Sequence, residues 1–124
     1  MIIVDSDVLI EIFDKGSKKG ETALEKLERS GEDVAITSLN LHEILYGHYK
    51  IGKKIKDIFQ IETIEFNKKD AELSAKLETE AEKKGMTISR IDTMIAAIAI
   101  NRNAKIYTFN KKHFQNFKQI QLFE

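Results

Sequence analysis

The sequence predicts an α/β fold, a three-layer α/β/α sandwich with a mainly parallel central sheet. Three observations predict it. Short β-branched runs alternate with helical stretches along the whole chain. The segments between those runs are long enough for crossover connections, which parallel pairing requires. One helix, in M-I-A-A-I-A-I, is apolar nearly all round, which places it between layers and not on the surface.

Ile2 to Val4 is a β-branched run ended by Asp5 and Ser6, as expected of a buried central strand. Val8 to Phe13 reads as a helix leaving that strand directly. Gly16 and Gly20 punctuate, and Thr22 with Glu25 resembles a capping box opening a helix with Ala23, Leu24 and Leu27 as an apolar stripe. Gly31 stops it. Asp33 to Ile36 is a second strand, and Thr37 or Ser38 caps the helix bearing Leu41, Ile44, Leu45 and Tyr49. After the lysine-rich stretch Lys50 to Lys56, the alternation from Ile58 to Phe66 reads as a strand with a polar side. Asn67 and Asp70 open a helix with Leu73, Leu77 and Ala81 in line, stopped by Gly85. Ser89 to Asn103 is the apolar helix, and Lys105 to Phe109 and Ile120 to Phe123 are the last strands.

The 124 residues make one domain, 1–124, large enough for a core without disulfides or a structural metal. Lys+Arg and Asp+Glu both number 20, so no global basic field attracts nucleic acid and any polyanion site must be local. Cysteine is absent, which removes thiolate metal sites and cysteine nucleophiles and fits a reducing cytoplasm. The N-terminus has no basic region before its short apolar run, so no signal peptide is expected. The longest apolar run is far below the roughly 20 residues a membrane helix needs. A cytoplasmic protein is expected.

Three acids stand out: Asp5 at a strand end, Glu43 in L-H-E-I-L-Y-G, and Asp92 in R-I-D-T-M-I-A-A-I-A. A carboxylate on an apolar element is costly unless something binds it. Hard divalent cations such as Mg²⁺ and Mn²⁺ take oxygen ligands and would offset the mutual repulsion. Each acid also has a plain structural reading. Asp7, like Asp5, can cap a helix; Glu43, with Asn40 and Gly47 on its face, can point to water; Asp92 completes a capping-box pattern with Ser89. Gly47 in a helix costs about 1 kcal/mol relative to alanine, and bare backbone there would leave room beside the carboxylate. His42 and His48 do not share a face, so a histidine metal site is not expected. In Y-T-F-N-K-K-H-F, Thr108 and Asn110 are candidate supporting groups, and His113 could touch substrate or serve as an acid. Arg90 could meet a phosphate or a nearby carboxylate. The lysines at 53, 54, 56, 111 and 112 are either solvated surface or a local phosphate patch.

Four stretches, I-V-D-S-D-V-L-I, T-S-L-N-L-H-E-I-L-Y-G, I-S-R-I-D-T-M-I-A-A-I-A and I-Y-T-F-N-K-K-H-F, in this order over nearly the whole chain, resemble the PIN domain family. Within it they look most like the VapC-like ribonuclease toxins of type II toxin–antitoxin systems. The resemblance implies an acidic cluster at the carboxyl edge of the sheet, with Asp5, Glu43 and Asp92 at the family's core acidic positions and Asp7 at a variably acidic one. It implies a Mg²⁺- or Mn²⁺-dependent endoribonuclease leaving 5′-phosphate and 3′-hydroxyl ends. Many relatives have a further Asp where this chain has Asn110 or His113, so one ion is expected and a second is left open. The implied partners are RNA, a VapB-like antitoxin and a second copy in a homodimer, with Arg90, Lys111 and Lys112 as candidate RNA contacts. Two other readings stand beside it: a non-catalytic PIN-like module binding RNA or protein, and a HAD-type phosphatase, which V-D-S-D resembles only at its start.

Overall fold

The structure is a computed structural model that describes residues 1–53 and 57–124. Five strands pair in the order β3-β2-β1-β4-β5, and every pairing is parallel. They are β1 Ile2–Val4, β2 Val34–Thr37, β3 Glu62–Ile64, β4 Lys105–Tyr107 and β5 Gln121–Leu122. Among the described residues five α-helices join them: α1 Ser6–Ile10, α2 Lys18–Ser30, α3 Ser38–Lys50, α4 Lys68–Lys83 and α5 Arg90–Asn101. Among the described residues no helix is long and apolar enough to cross a membrane.

Alternation along β1 divides the core. Ile2 and Val4 face a cluster with Val8, Leu9, Ala23, Leu27 and Ile44, under α1, α2 and α3. Ile3 faces the other way, onto Ile95, Ala96, Ile98 and Ala99 of α5 and Phe114. The predicted three-layer α/β/α sandwich is therefore observed, and α5 supplies the apolar layer on its side.

Several boundaries move for physical reasons. The helix after β1 is α-helical only to Ile10 and continues as a π-helical turn, Glu11–Lys15. Helix α2 begins at Lys18, capped by Ser17 through the Gly20 N–H, and not at the Thr22 box. Gly20 lies inside its first turn because a Cβ there would come within 2.1 Å of the Glu11 carbonyl oxygen. The stretch from Ile58 to Phe66 is not one strand. Asp57–Gln60 is a 3-10 turn that buries Ile58 completely, and only Glu62–Ile64 joins the sheet. Asn67 and Asp70 open α4 as predicted, and do so as a full capping box, and Gly85 follows the helix in the left-handed region at φ +70°. Asp70 does more than cap: fully buried, it also receives Asn101 and a two-pronged bond from Arg102, fastening α4 to α5.

Candidate metal centre

Strand order turns at β1, with β2 on one side and β4 on the other, and the crevice beyond the carboxyl ends at such a switch is where open α/β sheets bind ligands. The register places the ends together. Val4 pairs with Tyr107, and the Asp5 N–H donates to the Tyr107 carbonyl at 2.9 Å. Asp5, the first residue past β1, caps α1. Its Oδ1 accepts from the Ser6 N–H at 2.9 Å and from Asn40 Nδ2 at 3.2 Å, and its Oδ2 accepts from Thr108 Oγ1 at 2.9 Å. Only 8% of Asp5 is exposed. Burial, then the charge of Asp7, pushes its carboxyl up to about 6 against the hydrogen bonds from Thr108 and Ser6, with Asp92 adding to the rise.

Asp7 reaches across to the segment after β4. Its Oδ2 accepts from the Phe109 N–H at 3.1 Å and from Thr108 Oγ1 at 3.4 Å, while its Oδ1 is buried with no partner among the described residues. Thr108 thus serves both aspartates, and its hydroxyl oxygen also accepts from the Asn110 N–H at 3.0 Å. The Asn110 side chain is exposed at the start of a 3-10 turn, Lys111–His113.

Asp92 is on the first turn of α5. Its N–H reaches the Ser89 hydroxyl at 3.4 Å, but its carboxylate faces His113, with Oδ2 3.3 Å from Nδ1. Burial raises the Asp92 carboxyl, the His113 ring opposes that rise, and the charge of Asp7 adds to it.

Glu43 differs from the expectation. It lies on the exposed side of α3, so the argument from buried charge does not apply to it. It is nevertheless tied to the site, because Ser6 Oγ donates to its Oε1 at 2.9 Å. Asn40, fully buried, completes a capping box with Thr37 and sends its amide to Asp5 and Ser6. Gly47 has open space where a Cβ would go, so among the described residues no packing requires its bare backbone.

Arg90 is engaged elsewhere: Nε and Nη2 grip the two carboxylate oxygens of Glu78 at 2.9 and 3.1 Å. Lys111 pairs with Glu124 at 3.1 Å, and Lys112 and Lys53 are exposed. Lys54 and Lys56 lie outside the described residues. The sequence marks Ser6 only as a polar residue that, with Asp5, ends the first strand. A small hydroxyl directly after the strand-end aspartate was the available signal, but its link to Glu43, 37 residues away, is tertiary.

The residues suit a hard divalent cation by chemistry. The donors are carboxylate oxygens, the charges of Asp7 and Asp92 raise Asp5 and that of Asp7 raises Asp92, and Asp7 Oδ1 is buried without a hydrogen-bond donor among the described residues. Each of these features is relieved by positive charge. The carboxylates are otherwise held by their own hydrogen bonds, and among the described residues no three acidic or histidine side chains already converge as a closed ligand set.

A parallel α/β/α sheet with carboxylates gathered at its switch point defines a class of acidic-site domains. The chain belongs to the PIN domain family, whose profile matches residues 2–120. It is 32% identical to ribonuclease VapC2 of Rickettsia felis over 127 aligned positions, covering 97% of this chain and 94% of that one. It is 31% identical to ribonuclease VapC1 of Methanocaldococcus jannaschii, covering 98% and 84%. Among solved structures, VapBC2 from Rickettsia felis bound to a DNA fragment from their promoter superposes with a TM-score of 0.80 at 29% identity, over 99% of this chain and 98% of that one. A toxin–antitoxin complex from Klebsiella pneumoniae shares the fold, with a TM-score of 0.77 at 21% identity over 97% and 95% of the two chains. The family membership removes the HAD-type phosphatase reading of V-D-S-D.

Proposed function

We propose that this chain is a divalent-metal-dependent endoribonuclease and the toxin of a toxin–antitoxin pair. The observation that carries the reading is the carboxylate cluster: Asp5 buried and raised to about 6 beside Asp7 and Asp92, with Asp7 Oδ1 unpartnered among the described residues. Two ribonuclease relatives, aligned over nearly the whole chain, support the same chemistry.

In this reading Asp5, Asp7 and Asp92 hold one Mg²⁺ or Mn²⁺, and Glu43 reaches it directly or through a water. Bound there, the ion would supply Lewis-acid activation of water and neutralise charge building on the phosphodiester. Thr108, Asn40 and the Ser6 N–H keep Asp5 in place. His113, half-exposed beside Asp92, stands where it can touch the RNA or give a proton to the departing oxygen. Lys111 and Lys112, on the turn that carries His113, are the nearest candidate phosphate contacts, and Asn110 can offer an oxygen from the same turn. Arg90 joins them only by exchanging Glu78 for a phosphate.

Zero net charge limits how many phosphates one protomer can neutralise. A homodimer would join two sets of lysines into one larger phosphate-binding surface. A VapB-like antitoxin is the partner extended from the VapBC relatives, and a cytoplasmic location agrees with RNA as substrate and with the absence of cysteine.

The test is RNA cleavage with added Mn²⁺. Asp5→Asn and Asp92→Asn are expected to lose cleavage, and variants that cut as well as the parent would overturn the assignment. Calorimetry separates the alternative of a non-catalytic module, which would take up no Mn²⁺ below millimolar concentrations.

A further inference from the structure

We infer that Ser6 is a positioning residue, whose hydroxyl sets Glu43 against the acidic cluster through a hydrogen-bond chain with only one possible direction. The inference rests on the proposed metal-dependent function. The direction starts at Thr37. Its backbone N–H can only donate, and it meets Asn40 at 3.2 Å, so the amide atom there is Oδ1. Thr37 Oγ1 donates to that same oxygen at 2.7 Å. The Asn40 Nδ2 must therefore face the other way, where its two hydrogens go to Asp5 Oδ1 at 3.2 Å and Ser6 Oγ at 3.1 Å. Because Ser6 Oγ accepts from Asn40, its own hydrogen is free for Glu43 Oε1, 2.9 Å away.

Each member except Glu43 is buried: Thr37 and Asn40 are fully so, and Ser6 is 8% exposed. Glu43 alone is on the solvent side of its helix. An exposed glutamate is among the side chains that lose most rotamer freedom when ordered, and a bond to a fixed hydroxyl removes much of that loss before an ion arrives. Ser6 and Asp5 also share the Asn40 amide, so the chain holds Glu43 in register with the buried carboxylate.

The experiment is Mn²⁺ binding by calorimetry on four proteins: the parent, Ser6→Ala, Glu43→Ala and the double variant. Ser6→Ala removes one side-chain atom and leaves the Ser6 N–H bond to Asp5 intact, and thermal melts confirm that all four fold. Ser6→Ala is expected to weaken Mn²⁺ binding about tenfold, equivalent to about 1.4 kcal/mol. The same change made on Glu43→Ala is expected to do nothing more. Ser6→Thr, which keeps the hydroxyl, is expected to bind as the parent does. Parent-like binding by Ser6→Ala, or an equal loss in the Glu43→Ala background, overturns the inference and leaves the function standing. A parent that takes up no Mn²⁺ overturns both.

Discussion

Replacing Asp5 by Asn is expected to stabilise the metal-free protein while ending its use of a divalent cation. The carboxyl titrates at about 6 in the fold instead of the ordinary 3.8, first because it is buried and then because Asp7 is beside it. The folded state therefore holds this proton more tightly than the unfolded chain does. Stability contributed by the protonated group is fully present below 3.8 and is lost as pH rises through about 6. Above that range the whole penalty is in force, about 3 kcal/mol at roughly 1.4 kcal/mol per pH unit.

Asparagine carries no charge and can keep the network. Its oxygen still accepts from the Ser6 N–H and Asn40, and its amide can donate to Thr108 Oγ1, which then turns its hydrogen to Asp7 Oδ2. The amide fits the site less well than the protonated carboxyl and must reorient the Thr108 hydroxyl, which costs about 1 kcal/mol. A net gain of about 2 kcal/mol remains, roughly 8 °C in melting temperature for a chain of this size. The assay is thermal melting in a chelator at about pH 7.5 and about pH 4. The variant should melt higher at the first pH, and the gap should close toward the second. Saturating Mn²⁺ should raise the melting point of the parent and not of the variant. A variant that melts below the parent at about pH 7.5, or a gap that ignores pH, would refute the reasoning.

Two further substitutions test the scaffold. Gly20→Ala puts a Cβ 2.1 Å from the Glu11 carbonyl oxygen, so α2 or the π-helical turn must shift; the expected loss is about 3 kcal/mol, read from the denaturant midpoint. Asp70→Ala leaves Arg102 and Asn101 without their buried partner on α4, and roughly 3 kcal/mol is expected to go. Burial works to raise the Asp70 carboxyl, but bonds from Arg102, Asn101 and the Asn67 N–H outweigh it and hold the group below its ordinary value. The Asp70 contribution should therefore fade as pH falls through the acid range, and Asp70→Ala should differ least from the parent there.

Much of the fold was legible because local pattern and tertiary role agree. The β-branched runs at Ile2, Val34 and Lys105 became parallel strands, and the apolar helix from Ser89 became the layer packed on the Ile3 face of the sheet. The legibility failed where a residue serves a distant segment. The alternation from Ile58 reads as a strand, yet Ile58 is drawn into the α1–α3 cluster and the chain turns in 3-10 geometry to put it there. Asp70 reads as a cap, but Arg102, 32 residues on, makes it an anchor. Gly20 reads as a helix boundary, and only the Glu11 backbone against it explains why nothing larger fits.

The candidate site divides the same way. In the sequence, strand-end position and hydrophobic period, which are local properties of the chain, drew attention to Asp5, Glu43 and Asp92, and four stretches in order carried the resemblance to the PIN domain family. Only the tertiary structure decided which carboxylates are electrostatically costly. Asp5 is buried and raised, Asp92 is partly covered and countered by His113, Asp7 has an orphaned oxygen, and Glu43 is in water on a tether from Ser6. Desolvation and charge coupling depend on what other segments bring to within a few ångströms, and that is set when β1, β4, α3 and α5 meet at one edge of the sheet.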